Sequence, residues 1–183
     1  MKEMKRFAGM NIQIASAADY HEVMAFYQSM CEELAKLSFL HMGNQGGYPS
    51  EPMVKDAIDN GGMIIGVEQG AVIAALILNH AADTAYNKVK WQIDAAPDEV
   101  TIMHALRVSP NHSGRGYGKA MVDYSIRLAK RAGQRAIRLD TLDENTIAQK
   151  LYRAMGFSFI DTVEIEYMDI GEPRTLYCYE LVL

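Results

Sequence analysis

One stretch constrains the fold of this chain more than any other: Val108-Ser109-Pro110-Asn111-His112-Ser113-Gly114-Arg115-Gly116-Tyr117-Gly118-Lys119-Ala120. It separates an apolar run at 100–108 from a segment, 116–132, with the apolar spacing of a helix, stopped by Gly133. A strand that passes through a glycine turn into a helix belongs to a protein in which helices cover a sheet. The N-terminus of the helix presents N–H groups without intrahelical partners and a partial positive charge, a good setting for phosphate. Glycines let a ligand approach the backbone with no Cβ in the way. Arg115 and Lys119 add positive charge.

Three phosphate-loop patterns compete for this stretch. A P-loop requires GxxxxGK followed by Ser or Thr. Here Gly118-Lys119 is followed by Ala120, and Ser113 stands where the first glycine is needed. The dinucleotide fingerprint requires GxGxxG, whereas the spacing here is GxGxG. The third pattern is Gln/Arg-x-x-Gly-x-Gly/Ala, which falls on Ser113-Gly114-Arg115-Gly116-Tyr117-Gly118 with both glycines in place and Ser113 at the leading position.

A second motif lies downstream. Asn145-Thr146-Ile147-Ala148-Gln149-Lys150-Leu151-Tyr152-Arg153-Ala154-Met155-Gly156-Phe157 matches Asn-x-x-Ala-x-x-Leu-Tyr-x-x-x-Gly-Phe at every named position. With the glycine turn, it resembles the GNAT (GCN5-related N-acetyltransferase) superfamily. The specific similarity is concentrated in residues 100–157, and the order of elements resembles the family over nearly the whole chain.

That order follows from the pattern. Alternation at 10–14 predicts a strand, and Ser16 and Asp19 offer caps to a helix over 18–37, carried by Val23, Met24, Tyr27, Met30, Leu34 and Leu37. A loop over 42–49 precedes a short helix at 51–59. Apolar runs at 63–67 and 71–79, separated by Glu68-Gln69-Gly70, predict a hairpin. After a polar stretch at 81–97 come the strand 100–108, the helix 116–132, a strand at 136–140 and a helix at 145–155. Two last strands, 157–167 and 174–183, are joined through Ile170-Gly171-Glu172-Pro173. The expectation is one α/β domain over 10–183. Its mixed, mostly antiparallel sheet has about seven strands and about four helices and is splayed at the acetyl-CoA site. Residues 1–9 are expected as a loose extension.

The resemblance implies an acetyl-CoA-dependent N-acetyltransferase in which a primary amine attacks the thioester directly and CoA leaves as thiolate. The implied cofactor contacts are Leu106, Arg107 and Val108 along the strand and Ser113, Gly114, Arg115, Gly116, Tyr117, Gly118 and Lys119 in the loop. Asn145 and Tyr152 complete the set. Pyrophosphate is implied to bind main-chain N–H groups of the loop. The pantetheine arm would lie along 106–108, with the N–H of Leu106 or a neighbour at the oxyanion. Tyr152 is implied as the acid that protonates the thiolate, and Asn145 is equally readable as a plain helix cap. The attacking amine must be neutral. His104, in a run similar to the same strand of arylalkylamine-type acetyltransferases, is the first candidate base, and Glu99 the second. Strict alternation puts Ile102, His104 and Leu106 on one face.

Composition narrows the field. The 183 residues carry a formal net charge of −5, against the basic surplus of a nucleic-acid-coating protein. Cys31 and Cys178 form no CxxC pair and the five histidines have no ligand spacing, so neither a disulfide framework nor a metal is expected. A charged N-terminus and the lack of an apolar run of roughly 20 residues point to a cytoplasmic protein without a membrane partner. Family members are often dimers, so a homodimer is an expectation by analogy. Tyr27, Phe39, His41, Tyr48, Trp91 and Tyr177 are candidates for an acceptor pocket, and Asp83, Asp94, Asp98 and Glu99 could attract a cationic acceptor. The rival reading from another class is a non-catalytic acyl-CoA-binding or regulatory module, and a further one a nucleotide-binding domain of unrelated fold.

Overall fold

Period-two runs become strands and period-3.6 runs become helices. The computed structural model describes residues 5–7, 9–34, 48–166 and 173–183. The elements are β1 (Lys5–Phe7), β2 (Met10–Ile14), α1 (Tyr20–Leu34), α2 (Glu51–Asp59), β3 (Met63–Glu68), β4 (Ala71–Asn79), β5 (Val100–Val108), α3 (Tyr117–Arg131), β6 (Ala136–Leu142), α4 (Thr146–Ala154), β7 (Ser158–Glu166) and β8 (Pro173–Val182). This is the expected mixed α/β fold, with mostly antiparallel pairing. The expected loop over 42–47, Leu37, Phe39, His41 and the connection at 170–172 lie outside the described residues.

Within the stretch expected as a loose extension, Lys5–Phe7 form β1, which pairs antiparallel with β2 (Arg6↔Asn11). The polar stretch at 81–97 is also more regular than expected: Asp83 accepts from the N–H of Ala85 at 2.8 Å and starts a 3-10 turn over Thr84–Lys88.

The chain divides into two compact units, 1–78 with 105–124 and 79–104 with 125–183. The division cuts β5 between His104 and Ala105. In the first unit β1, β2, β3 and β4 follow one another in an antiparallel meander. The β3–β4 hairpin turns on Gln69 (φ 52°) and Gly70 (φ 84°), two positive dihedrals that suit a tight two-residue turn. One core packs Val23, Phe26, Tyr27 and Met30 of α1 and Val54 and Ile58 of α2 with Met63, Ile65, Ala75 and Ile77. Caps fix the ends of α2: the Ser50 hydroxyl accepts from Met53 N–H, and the Asn60 N–H donates to Asp56 O at 2.9 Å.

In the second unit β5 runs parallel to β6 over Val100, Thr101 and Ile102, opposite Ala136, Ile137 and Arg138. The β6 strand pairs antiparallel with β8, and β8 with β7. Tyr86, Val89, Val100, Ile102, Ala136, Val163, Ile165, Leu176 and Cys178 form its core. The α3 helix ends in a Schellman motif: Gly133 is left-handed (φ 71°), its N–H donates to Lys130 O, and the N–H of Gln134 donates to Ala129 O.

Candidate active site

Pro110 opens a single 3-10 turn, Pro110–His112, closed by Ser113 N–H on Pro110 O at 3.1 Å. The chain then passes through Gly114 (φ 76°) and Gly116 (φ 78°), left-handed conformations that strain any other residue. A Cβ at either position would meet nothing within 4 Å, so the glycines serve the path of the chain and leave open space beside it. The first α-helical bond of α3 runs from Ala120 N–H to Gly116 O, at 3.0 Å. The N–H groups of Gly118 and Lys119 therefore precede the helical ladder, the position at which a helix receives an anion. Ser113, Arg115 and Lys119 are exposed.

A carboxylate from another strand holds this loop. Glu68, the last residue of β3, accepts from the Tyr117 hydroxyl at 2.7 Å, lies 3.0 Å from His112 Nε2 and pairs with Arg115 at 3.3 Å. The Tyr117 ring is buried and stacks with His112 at 6.3 Å between centroids. Nδ1 of His112 is buried with no hydrogen-bond partner, an uncommon state for a polar atom. Sequence reasoning missed this group. Glu68 looks like part of a turn, and His112 carried no role despite lying in the motif.

Upstream of the loop, Ala105 has φ 51°, a left-handed residue inside a strand. Such a conformation costs a non-glycine residue about 1 kcal/mol or more and needs support. The Tyr27 hydroxyl gives it by donating to Ala105 O at 3.1 Å. Burial raises the pKa of this phenol, so it remains a donor. The strict alternation expected to align His104 with Leu106 is thereby broken at the residue between them. Tyr27, considered for an acceptor pocket, is 2% exposed and acts as a core brace. Leu106, Arg107 and Val108 are half-buried, and Arg107 folds back to donate to Leu106 O at 2.9 Å.

In the second unit His104 Nε2 lies 2.9 Å from Asn79 Oδ1. Burial holds its pKa below the ordinary histidine value, against a hydrogen bond with the Ala81 backbone. A neutral imidazole is the form a base requires. Glu99 is committed differently: it accepts from Ala96 N–H at 2.9 Å and from Arg135 at 3.0 Å. The Ala96 N–H and then the Arg135 guanidinium lower its pKa, so it is a weak proton acceptor. Glu99 lies in the 3-10 turn Pro97–Glu99 that precedes β5, and His104 within that strand. Tyr152 is buried in α4, packed on Phe157 at 5.8 Å and Tyr179 at 6.0 Å. Asn145 caps α4, its Oδ1 accepting from Ala148 N–H at 3.1 Å.

The other pocket candidates have structural partners. Trp91 lies under the Arg138 guanidinium, 4.4 Å from its ring centroid, and donates to Tyr86 O. Tyr177 packs edge-on against Phe159 at 5.2 Å, and Tyr48 is exposed.

A model described as the acetyltransferase (GNAT) family matches residues 27–157. The chain belongs to this family. An uncharacterized N-acetyltransferase of Methanocaldococcus jannaschii is 32% identical over 74 residues, covering 40% of this chain and 33% of that protein. A mycothiol acetyltransferase of Geodermatophilus obscurus is 32% identical over 73 residues, 40% of this chain and 24% of the relative. Peptidyl-lysine N-acetyltransferase YjaB of Salmonella typhimurium is 31% identical over 74 residues, 40% of this chain and 46% of the relative. The match thus spans less than half the length of each. Solved GNAT structures share the fold. One from Streptococcus agalactiae has a TM-score of 0.80 at 22% identity, covering 97% of this chain and 98% of that one. The structure of yncA from Salmonella typhimurium with its cofactor acetyl-CoA has a TM-score of 0.69 at 17% identity, covering 96% and 94%. Among the described residues of this GNAT chain no helix is long and apolar enough to cross a membrane.

Proposed function

We propose that the protein transfers an acetyl group from acetyl-CoA to a primary amine of a small molecule or peptide by direct attack in a ternary complex. The observation that carries this reading is the loop itself: two left-handed glycines with open space beside them, leading into the N-terminus of α3. That arrangement fits a pyrophosphate, with Ser113, Arg115 and Lys119 at its exposed rim. The reading assigns the pantetheine arm to the backbone of Leu106, Arg107 and Val108, and the oxyanion to the N–H of Leu106. The amine nitrogen forms a bond to the thioester carbon and gives up its proton to His104, directly or through water. The C–S bond then breaks, and the Tyr152 hydroxyl protonates the departing thiolate. Asn145 acts here through α4, whose N-terminus it caps. Glu99, tied to Arg135, is the weaker candidate for the base.

Thermal unfolding with acetyl-CoA, and with ATP and NAD as controls, tests the reading. At about 100 times Kd, binding stabilises by roughly 2.7 kcal/mol, a Tm rise of about 5–10 °C for this size. A rise with acetyl-CoA alone supports the reading and justifies an amine screen followed by free thiol. No rise removes acetyl-CoA and the acyl transfer with it.

A further inference from the structure

We propose that Glu68 is the residue that sets the shape of the glycine loop, and so a positioning residue for the phosphates of the cosubstrate; this rests on the acetyl-CoA reading above. The loop has little to order it from within, because Gly114 and Gly116 touch nothing on their Cβ sides. A flexible loop loses conformational entropy when it closes on a ligand, at about 1–2 kcal/mol per residue fixed. Something outside it must bear part of that cost beforehand. Ser113, at the leading position, is exposed and short.

Glu68 fills this gap from β3. It binds a residue on each side of the two glycines, His112 before them at 3.0 Å and Tyr117 after them at 2.7 Å. Two fixed points, two peptide bonds before and one after the left-handed pair, leave the connecting backbone few paths. The carboxylate is itself fixed, with 14% of its side chain exposed. It fits against Gly9, where a Cβ would stand 2.7 Å from its Oε1. Arg115 is bound differently: its guanidinium is 53% exposed and its bonds to Glu68 are long, 3.3 and 3.4 Å. An exposed pair of that kind contributes little and breaks readily. Arg115 also bonds the Tyr117 side chain at this exposed rim, and it can turn from both to a phosphate while the bonds of Glu68 to Tyr117 and His112 stay.

Geometry and charge make opposite forecasts, which makes the inference testable. If Glu68 acted only by its negative charge, every neutral replacement would release Arg115 and strengthen anion binding. If it acts as an anchor, the outcome depends on whether the replacement still accepts from Tyr117. Glu68→Gln keeps an acceptor oxygen for Tyr117 and presents its amide N–H to His112 Nε2, which can accept when the ring proton sits on Nδ1, whereas Glu68→Ala keeps neither contact.

The experiment measures Kd for acetyl-CoA and for acetyl-pantetheine, which lacks the phosphates, in wild type and both variants, below their unfolding temperatures. Hydrogen exchange of the peptide spanning 110–119 is followed in the free proteins. Glu68→Ala is expected to weaken acetyl-CoA about tenfold, to leave acetyl-pantetheine unchanged and to speed exchange of the loop. Glu68→Gln is expected to stay close to wild type in all three. Tighter binding of acetyl-CoA by both variants would overturn the proposal in favour of a purely electrostatic role. Equal loss in both, or an alanine variant with unchanged exchange or unchanged affinity, would overturn it as well. If wild type itself fails to bind acetyl-CoA, the cosubstrate reading falls, whereas loop exchange still decides whether Glu68 is the anchor.

Discussion

Two carboxylates, one in each unit, show how the same chemistry serves different ends. Glu68 ends a strand at the glycine loop, and one of its three partners is the half-exposed Arg115. Glu180, on β8, is fully buried: Arg138 Nε donates to it at 2.8 Å and the backbone of Gln92 at 2.7 Å. Arg138 is in turn stacked on Trp91 and donates to Ile93 O at 2.9 Å. The second arrangement uses its hydrogen-bonding capacity within the fold and pins the stretch 91–93. The first leaves a cation able to exchange partners. Burial with complete satisfaction yields structure, and partial exposure leaves scope for a ligand.

Removing Glu180 is the strongest way to break this comparison. Glu180→Ala leaves Arg138 charged, buried and without its counter-ion, and the Gln92 N–H without an acceptor. Losing one member of a buried pair costs about 3–5 kcal/mol, a Tm fall of roughly 6–20 °C. Glu68→Ala, near solvent, is expected to cost about 1 kcal/mol. Thermal unfolding of the two variants side by side checks this, and equal losses would abolish the distinction.

Tyr152→Phe sharpens the comparison by asking whether the second unit also carries chemistry. The ring packing on Phe157 and Tyr179 is kept, so stability should hold. As the acid for the thiolate, its hydroxyl contributes about 10²-fold in kcat, with little change in acetyl-CoA affinity. Steady-state kinetics with any accepted amine decides the matter; an unchanged kcat makes Tyr152 a core residue.

Elements driven by local pattern were legible in the sequence, and contacts between distant residues were not. The strand Val100–Val108, the helix Glu51–Asp59, the Gly133 stop and the Asn145 cap all follow from spacing and from residue preferences that act within a few positions. The Ala105 kink has no such mark, because alanine does not favour positive φ and its support, Tyr27, is 78 residues away. Glu68 meets Tyr117 across 49 residues, and Arg138 meets Glu180 across 42. Charge at a turn and alternation along a strand were visible; which cation each carboxylate meets depends on register, and register is a property of the folded sheet. The strand Lys5–Phe7 was missed for a related reason: pairing with β2, rather than an apolar pattern of its own, makes it a strand.

A pH-dependent effect concerns a third carboxylate, Asp140 on β6, half-buried and accepting from the Tyr86 hydroxyl at 2.9 Å. Burial raises its pKa from 3.8 to about 6, with the hydrogen bond from Tyr86 opposing and the charge of Asp83 assisting. The folded protein therefore keeps a proton that the unfolded chain releases. The stability this contributes is complete below about pH 4 and is lost as pH rises through about 6. Asn at this position cannot ionise and can still accept from Tyr86. Asp140→Asn should match wild type near pH 4 and exceed it near pH 7 by about 1–3 kcal/mol, toward the lower end because solvent reaches part of the group. Denaturant unfolding at several pH values between these limits reads the difference directly. A gap that does not change with pH would mean that Asp140 keeps the ordinary carboxylate pKa, and that burial does not set its protonation.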